Sequence, residues 1–322
     1  MTKGTKRILS GARPTGMLHL GNYWGAIRQI IDFQNQEFQP FYFVADLHAL
    51  TTSTNQNLSQ DSIELAAGYI ACGLDPEKTV IYRQSSINKI PYLATLLSMF
   101  TSESWLRKCT TYKEKSASQA VTSLGLLSYP VLMAADIIIM DADIVPVGHD
   151  QIQHIEMTRD IALRFNNIYE PVFKLPKAYE MKMLRIPSLD GSGKMGKSDK
   201  NFIGLFEEPK AIKKKIMAAL TDEGPQTEMS LPMQNIYSIL KLHAPEEVYL
   251  KYLDMYKTKQ ARFYGELKKE LAHWVLELVS PFREKYNGLN RSYIQDVLKA
   301  GADKANLIAE GVFSRVQEKM NL

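Results

Sequence analysis

The chain has 322 residues, 45% of them hydrophobic and 23% charged, a globular balance with room for a large core and for two domains. A formal net charge of +4 and a pI near 8.8 permit a polyanionic partner without demanding one. Two cysteines, Cys72 and Cys109, exclude a disulfide framework and a four-cysteine metal site, and with no apolar run of about 18 residues and no secretory signal the expectation is a soluble cytoplasmic protein with no membrane span and no metal site of its own.

The first half alternates short β-rich runs with longer helical patterns. "RILS" (7–10), "PFYFVA" (40–45), "TVIYR" (79–83) and "IVPVG" (144–148) read as buried strands; helical patterns lie near 20–35, 59–72 and 131–140. This alternation predicts an α/β fold with a doubly wound, Rossmann-like parallel sheet. In such folds ligands bind beyond the carboxyl ends of the strands. Segment 11–22 follows the first strand, 46–48 the second and 148–151 the fourth. From about 207 the β signals stop. Segments 208–219, 234–241, 245–279, 292–299 and 302–320 read as helices, broken by "GPQ", "AP", "SP" and "NGLN". The expected division is a sheet domain over 1–206, a smaller all-helical domain over 207–290, and C-terminal helices over 291–322 that can turn back onto the sheet. No internal repeat or low-complexity tract interrupts this plan.

Three constellations carry chemistry. In "RPTGMLHLGN" a helix begins near Leu20, where unpaired amides and the helix dipole favour an anion. Gly16 and Gly21 allow close approach, and His19 and Asn22 can donate to phosphate oxygens. A capped helix with a solvent-facing histidine is the plainer alternative. "GSGKMGKSDKN" (191–201) puts Lys194 and Lys197 three apart among glycines and serines. Such a loop can close over a polyphosphate, or it is simply a solvated basic linker.

The third is "SYPVLMAADIIIMDADIVPVGHDQIQH" (128–154), where Pro130 suits a first helical turn. On a helix running to Met140, Tyr129, Met133, Asp136 and Met140 share a stripe. A buried Asp136 needs a donor. That donor is either another group of the chain or the single N–H of a flat apolar ligand. Gly148, His149, Asp150 and Gln151 end the fourth strand and suit a ribose or an amino group, or form a polar turn.

Taken together, these segments resemble one family. "HLGN" is similar to the HIGH signature of class I aminoacyl-tRNA synthetases, and "KMGKS" to their KMSKS loop. "YPVLMAADI…DIVPVGHDQIQHIEMTRDIALRFN" resembles the bacterial tryptophanyl-tRNA synthetases, and "GADKANLIAEGVFSRVQEKMNL" also fits. The resemblance implies a Rossmann-like catalytic domain of the HUP type over 1–206, an anticodon-binding helical domain over 207–290, and a homodimer. It implies activation of tryptophan by ATP, which carries Mg2+, and transfer to the 3′ adenosine of tRNA(Trp). His19, Asn22, Lys194, Lys197 and, from "YKEKS", Lys115 would be the catalytic set around the triphosphate. Arg13, Pro14, Thr15, Gly21, Gly148, His149, Asp150, Ile186, Met195, Gly196 and Ser198 would complete the ATP site. Tyr129, Met133, Asp136 and Gln151 would hold tryptophan, with Asp136 on the indole N–H. Three positions depart from the common pattern. Gly196 stands where the loop motif has Ser, Arg13 where many bacterial members have Gln, and His19 where some have Thr. Rival readings are a tyrosyl-tRNA synthetase, a small-molecule adenylyltransferase, and a non-catalytic tRNA-binding paralogue.

Overall fold

The computed structural model describes residues 5–14, 16–51, 57–117, 122–182, 184–191, 193, 195–196 and 201–322, with the backbone alone at Lys115. Thr15, Lys194, Lys197 and Ser198, all assigned above to the phosphate side, lie outside the described residues. The chain opens with β1 (Lys6–Ala12), then α1 (Leu20–Asn22), which runs through a π-helical turn (Tyr23–Ile27) into α2 (Arg28–Phe33). β2 (Phe38–Val44), α3 (Asp46–Leu50), α4 (Leu58–Ala71) and β3 (Val80–Arg83) follow. Next come α5 (Lys89–Ser98), α6 (Glu103–Leu106), α7 (Thr110–Ala117) and α8 (Leu124–Ile139). β4 (Ile144–Val147), α9 (Ile152–Tyr169) and β5 (Lys177–Glu180) complete the sheet.

All described strand pairs are parallel and the order is β3-β2-β1-β4-β5. Successive strand side chains point to opposite faces, and here both faces are covered. Phe41 and Phe43 of β2 join a core with α5, α8 and α9, whereas Tyr42 and Val44 join another with α1 and α4. The four strands expected from their apolar runs are present. The fifth, "KAYE", is an exposed edge strand, so it carries no apolar run to betray it.

α8 begins six residues before Pro130. Ser123 caps it, its hydroxyl accepting from the Leu126 amide at 3.1 Å. Pro130 is therefore interior and not in the first turn, and its tolerated cost comes from burial along nearly the whole helix.

The second half consists of α10 (Pro209–Met217), α11 (Leu231–His243), α12 (Glu246–Lys257), α13 (Tyr264–Gly288) and α14 (Arg291–Met320). The span expected as one helix over 245–279 is two, separated at 258–263. "SP" does not stop α13, which carries Pro281 inside it, and the expected break near Gly301 is absent from α14. Packing explains the last point. A Cβ on Gly301 would sit 1.8 Å from the Ile81 carbonyl oxygen, so glycine lets α14 lie against β3. Ala302, Ala305, Ala309, Val312 and Phe313 then enter the core behind the sheet. The other core runs without interruption from Tyr42 and Ile81 to Ile212, Ile236, Leu240, Leu271 and Val275 of the helical half.

Candidate active site

The sheet order reverses between β1 and β4, which leaves a crevice at their carboxyl ends. A cavity of about 340 Å³ occupies it. Its walls are Ser10–Arg13 from β1, Val145–Gly148 from β4, Phe43 and His48 from β2 and α3, and Tyr129, Met133 and Asp136 from α8, with Gln151 at the rim. The three α8 residues thus share the expected stripe and face one space. Met140, expected with them, is buried away from it in the core.

Asp136 is 1% exposed and is the carboxylate of this cavity. Its donors come from the chain. His48 Nε2 lies 2.9 Å from Oδ2, and Gln84 Nε2 lies 2.9 Å from each oxygen. Burial pushes its carboxyl above the ordinary carboxylate range, against the opposing pull of His48 and Gln84, while Asp46 adds a further upward push. The choice left open by the sequence is settled in part: the donors are intramolecular, yet the carboxylate still lines the cavity. His48 and Gln84 escaped the sequence reading because they are 88 and 52 residues from Asp136. The one available signal was the position of segment 46–48 after the second strand.

Behind His48, Asp46 is buried at the start of α3. It accepts from Arg83 Nε (3.1 Å), the Ser85 amide (2.9 Å) and the Ser85 hydroxyl (2.5 Å), which locks α3 to the end of β3. Tyr129 is fixed from the far side, its hydroxyl 2.5 Å from His154 Nε2, with the Cys109 sulfur 3.4 Å from the same nitrogen. Burial pushes the Tyr129 phenol well up, so it stays neutral.

The "HLGN" segment is held elsewhere. The Leu20 amide donates to the Ile203 carbonyl (3.0 Å) and the Leu205 amide to the Leu18 carbonyl (2.9 Å). Asn22 Oδ1 accepts from the His19 amide at 3.1 Å, a local cap. His19 is buried, its ring 5.4 Å from Phe202, which corrects the solvent-facing alternative. A Cβ on Gly21 would stand 3.0 Å from the His19 ring and 3.8 Å from Met195 Cβ. The start of α1 and Met195 of "KMGKS" are therefore neighbours, although Gly21 and Met195 stand 174 residues apart in the chain. The Met195 amide donates to the Ile186 carbonyl at 2.9 Å, and the Gly196 amide to Asn201 Oδ1 at 2.9 Å.

Of the nucleotide-side residues, Arg13 and Gly148 line the cavity, and Pro14 is buried beside Arg13. His149 and Asp150 are exposed and stand outside its wall, His149 Nδ1 lying 2.9 Å from Glu180 and Asp150 accepting from Gln151 Nε2 at 3.1 Å. Ile186 and Met195 are buried and do not line the cavity.

The geometry is that of a small, mostly apolar pocket with a buried carboxylate in its wall, in a chain whose Gly21 lies close to Met195. The family described as tRNA synthetases class I (W and Y) matches residues 1–280. A tryptophan--tRNA ligase of Porphyromonas gingivalis is 42% identical over 320 residues, covering 96% of this chain and 97% of the relative. The structure of a Campylobacter jejuni tryptophanyl-tRNA synthetase complexed with ADP and tryptophan is 40% identical, with a TM-score of 0.89, covering 98% of this chain and all of that one. A tyrosyl-tRNA synthetase of Aeropyrum pernix, at 20% identity and a TM-score of 0.68 over 92% of this chain and 90% of that one, shares the fold alone. This chain belongs to the class I tRNA synthetases of the tryptophan and tyrosine group, and within it to the tryptophan--tRNA ligases.

Proposed function

We infer that this protein activates tryptophan with ATP and transfers it to the 3′ adenosine of tRNA(Trp). The observation that carries the choice of amino acid is Asp136, a buried carboxylate in the wall of a mostly apolar cavity beside Tyr129 and Met133. A flat indole fills such a space, and its N–H meets the acceptor. Gln151 serves the amino group. Phenylalanine would leave the carboxylate without that donor, and sites of this kind can reject such analogues by roughly 10⁴–10⁵-fold. Tyrosine is excluded by shape.

The tryptophan carboxylate attacks the α-phosphate and magnesium pyrophosphate leaves, the Mg2+ arriving with ATP as part of the substrate. This chemistry needs positioning and charge neutralisation more than a protein nucleophile. His19, Asn22, Lys194 and Lys197 hold the triphosphate with the loop residues Met195, Gly196 and Ser198. Lys197 meets the charge that develops on the leaving group, and Lys115 supports it. Arg13, Pro14, Thr15, Gly21, Gly148, His149, Asp150 and Ile186 border the nucleotide. The closeness of Gly21 to Met195, 3.8 Å from where a Cβ on the glycine would stand, supports a shared phosphate site for the two signatures. The helical residues 207–290 hold the anticodon arm, and the working unit is a cytoplasmic homodimer.

Amino-acid-dependent exchange of pyrophosphate into ATP, run with tryptophan and tyrosine side by side, tests this reading. Exchange that depends on tryptophan alone is expected. Exchange driven equally by tyrosine, or by no amino acid, would remove it.

A further inference from the structure

Gln84 is completely buried in the short 3₁₀ turn after β3, and it is not part of the cavity wall. It touches two residues that are, His48 and Asp136. Its side-chain Nε2 donates to Asp136 at 2.9 Å to each oxygen, and its Oε1 accepts from the His48 backbone amide at 3.2 Å. The two bonds fix the orientation of the amide. A flipped side chain would set its oxygen against the carboxylate and its NH2 against an N–H, losing both contacts at once. Around Asp136 the donors are unequally shared. Oδ2 receives Gln84 and His48, whereas among the described residues Oδ1 receives Gln84 alone. A carboxylate oxygen accepts about two bonds, so Oδ1 is the one with capacity to spare.

We propose that Gln84 is a positioning residue for amino-acid choice: it holds the Asp136 carboxylate and His48 in one arrangement that leaves Oδ1 to accept a single ligand N–H. This deepens the tryptophan reading and rests on it. Gln84 acts through Asp136 and never touches the substrate. Its neighbour Ser85 supplies the amide and hydroxyl that Asp46 accepts, so the same turn pins both α3 and α8 to the end of β3. A hydrophobic residue of equal length would fill the space and keep the fold, but would free the carboxylate to rotate toward His48.

The test compares tryptophan with its benzothienyl analogue, in which sulfur replaces the indole N–H, in pyrophosphate exchange by the wild type and by Gln84→Met. The wild type is expected to prefer tryptophan by more than about tenfold in kcat/KM. In Gln84→Met the tryptophan KM should rise at least about tenfold with kcat and the ATP KM near wild type, and the preference over the analogue should fall severalfold. A merely structural role would weaken both substrates together. If the wild type does not discriminate, the indole–Asp136 reading itself fails. If the wild type discriminates and Gln84→Met keeps the full preference, Gln84 is not a positioning residue. Should the variant not fold, the Gln84 side-chain amide resonances of the ¹⁵N-labelled wild type give the same decision. They should shift on adding tryptophan and much less with the analogue, and equal shifts overturn the proposal.

Discussion

Trp24 and His243 are joined across 219 residues: the indole N–H of the π-helical turn that follows "HLGN" donates to His243 Nε2 of α11 at 3.1 Å. His243 Nδ1 lies 2.7 Å from the Ile239 carbonyl, so the ring is a neutral tautomer that donates at Nδ1 and accepts at Nε2. The rings also meet edge to face at 5.5 Å, and the Arg28 guanidinium covers the Trp24 face at 4.8 Å. The helix that opens the first signature is thereby tied to the helical half by one polar bond within an apolar contact.

Burial holds the His243 imidazole below its ordinary value of 6.5, despite the upward pull of the Ile239 carbonyl. The folded chain keeps the ring neutral where the unfolded chain would protonate it. The stability from this contact is full above about pH 6.5, declines as pH falls below that, and is wholly lost under the folded-state pKa. His243→Phe keeps a ring but strands the Trp24 N–H, at a cost of roughly 1–3 kcal/mol at pH 8. Urea unfolding from pH 8 to pH 5 should show the gap to wild type closing on acidification. A gap of constant size would mean that the bond does not titrate.

Gly301→Ala tests how α14 closes the sheet. The new methyl carbon would meet the Ile81 backbone oxygen at 1.8 Å, and a backbone carbonyl in mid-strand cannot step aside as a flexible side chain can. The helix must slide off β3, carrying Ala302 and Ala305 with it. We expect a loss of roughly 3 kcal/mol or more, at the severe end for a single methyl. Loss under about 1 kcal/mol in a denaturant titration would show that α14 has room to shift.

The strands and the site are unequally legible in the sequence, for physical reasons. β1 to β4 carry buried residues in apolar runs, whereas all four residues of β5 are exposed and "KAYE" has no such run. Prolines mislead where packing outweighs their local cost, as at Pro130 in α8 and Pro281 in α13. The stripe of Tyr129, Met133 and Asp136 is legible because one helix carries all three at helical spacing. His48 and Gln84 are not, since their meeting with Asp136 depends on how α3 and the turn after β3 are set by the sheet. No period in the chain encodes that distance, nor the one between Trp24 and His243.

Asp136→Ala should raise the tryptophan KM by about 100-fold or more and leave the ATP KM nearly unchanged. The same change leaves His48 Nε2 and Gln84 Nε2 without their acceptor in a buried site, which costs about 2–3 kcal/mol of stability. Kinetics should therefore be taken well below the midpoint of thermal unfolding. An unaltered tryptophan KM in the folded variant would take Asp136 out of the binding site.

The basic residues of the helical half divide by their partners. Lys215 is spent internally, on Glu207 at 2.5 Å and on the Phe202 carbonyl at 3.0 Å. Lys268 caps the end of α10, donating to the Ala219 carbonyl at 2.7 Å and the Met217 carbonyl at 3.3 Å, and desolvation lowers its pKa. Both are held by partners within the chain. Lys210, Lys213 and Lys214 remain exposed on α10, with Lys257, Lys259, Arg262 and Lys269 exposed further on. Exposed lysines on one helix suit phosphate contacts, which position a polyanion without reading its bases. Replacing Lys210, Lys213 and Lys214 by Gln should leave pyrophosphate exchange near wild type while aminoacylation weakens. If all three meet single-stranded phosphates, the slope of log affinity for tRNA against log salt should become shallower by about 2. Replacing Lys215 and Lys268 instead should lower stability, because their carbonyl and carboxylate partners would be left unpaired, without changing that slope beyond the loss of folded protein. An unchanged salt slope in the α10 triple variant would assign this face another role, with contact between two copies of the chain as the first to examine by sedimentation.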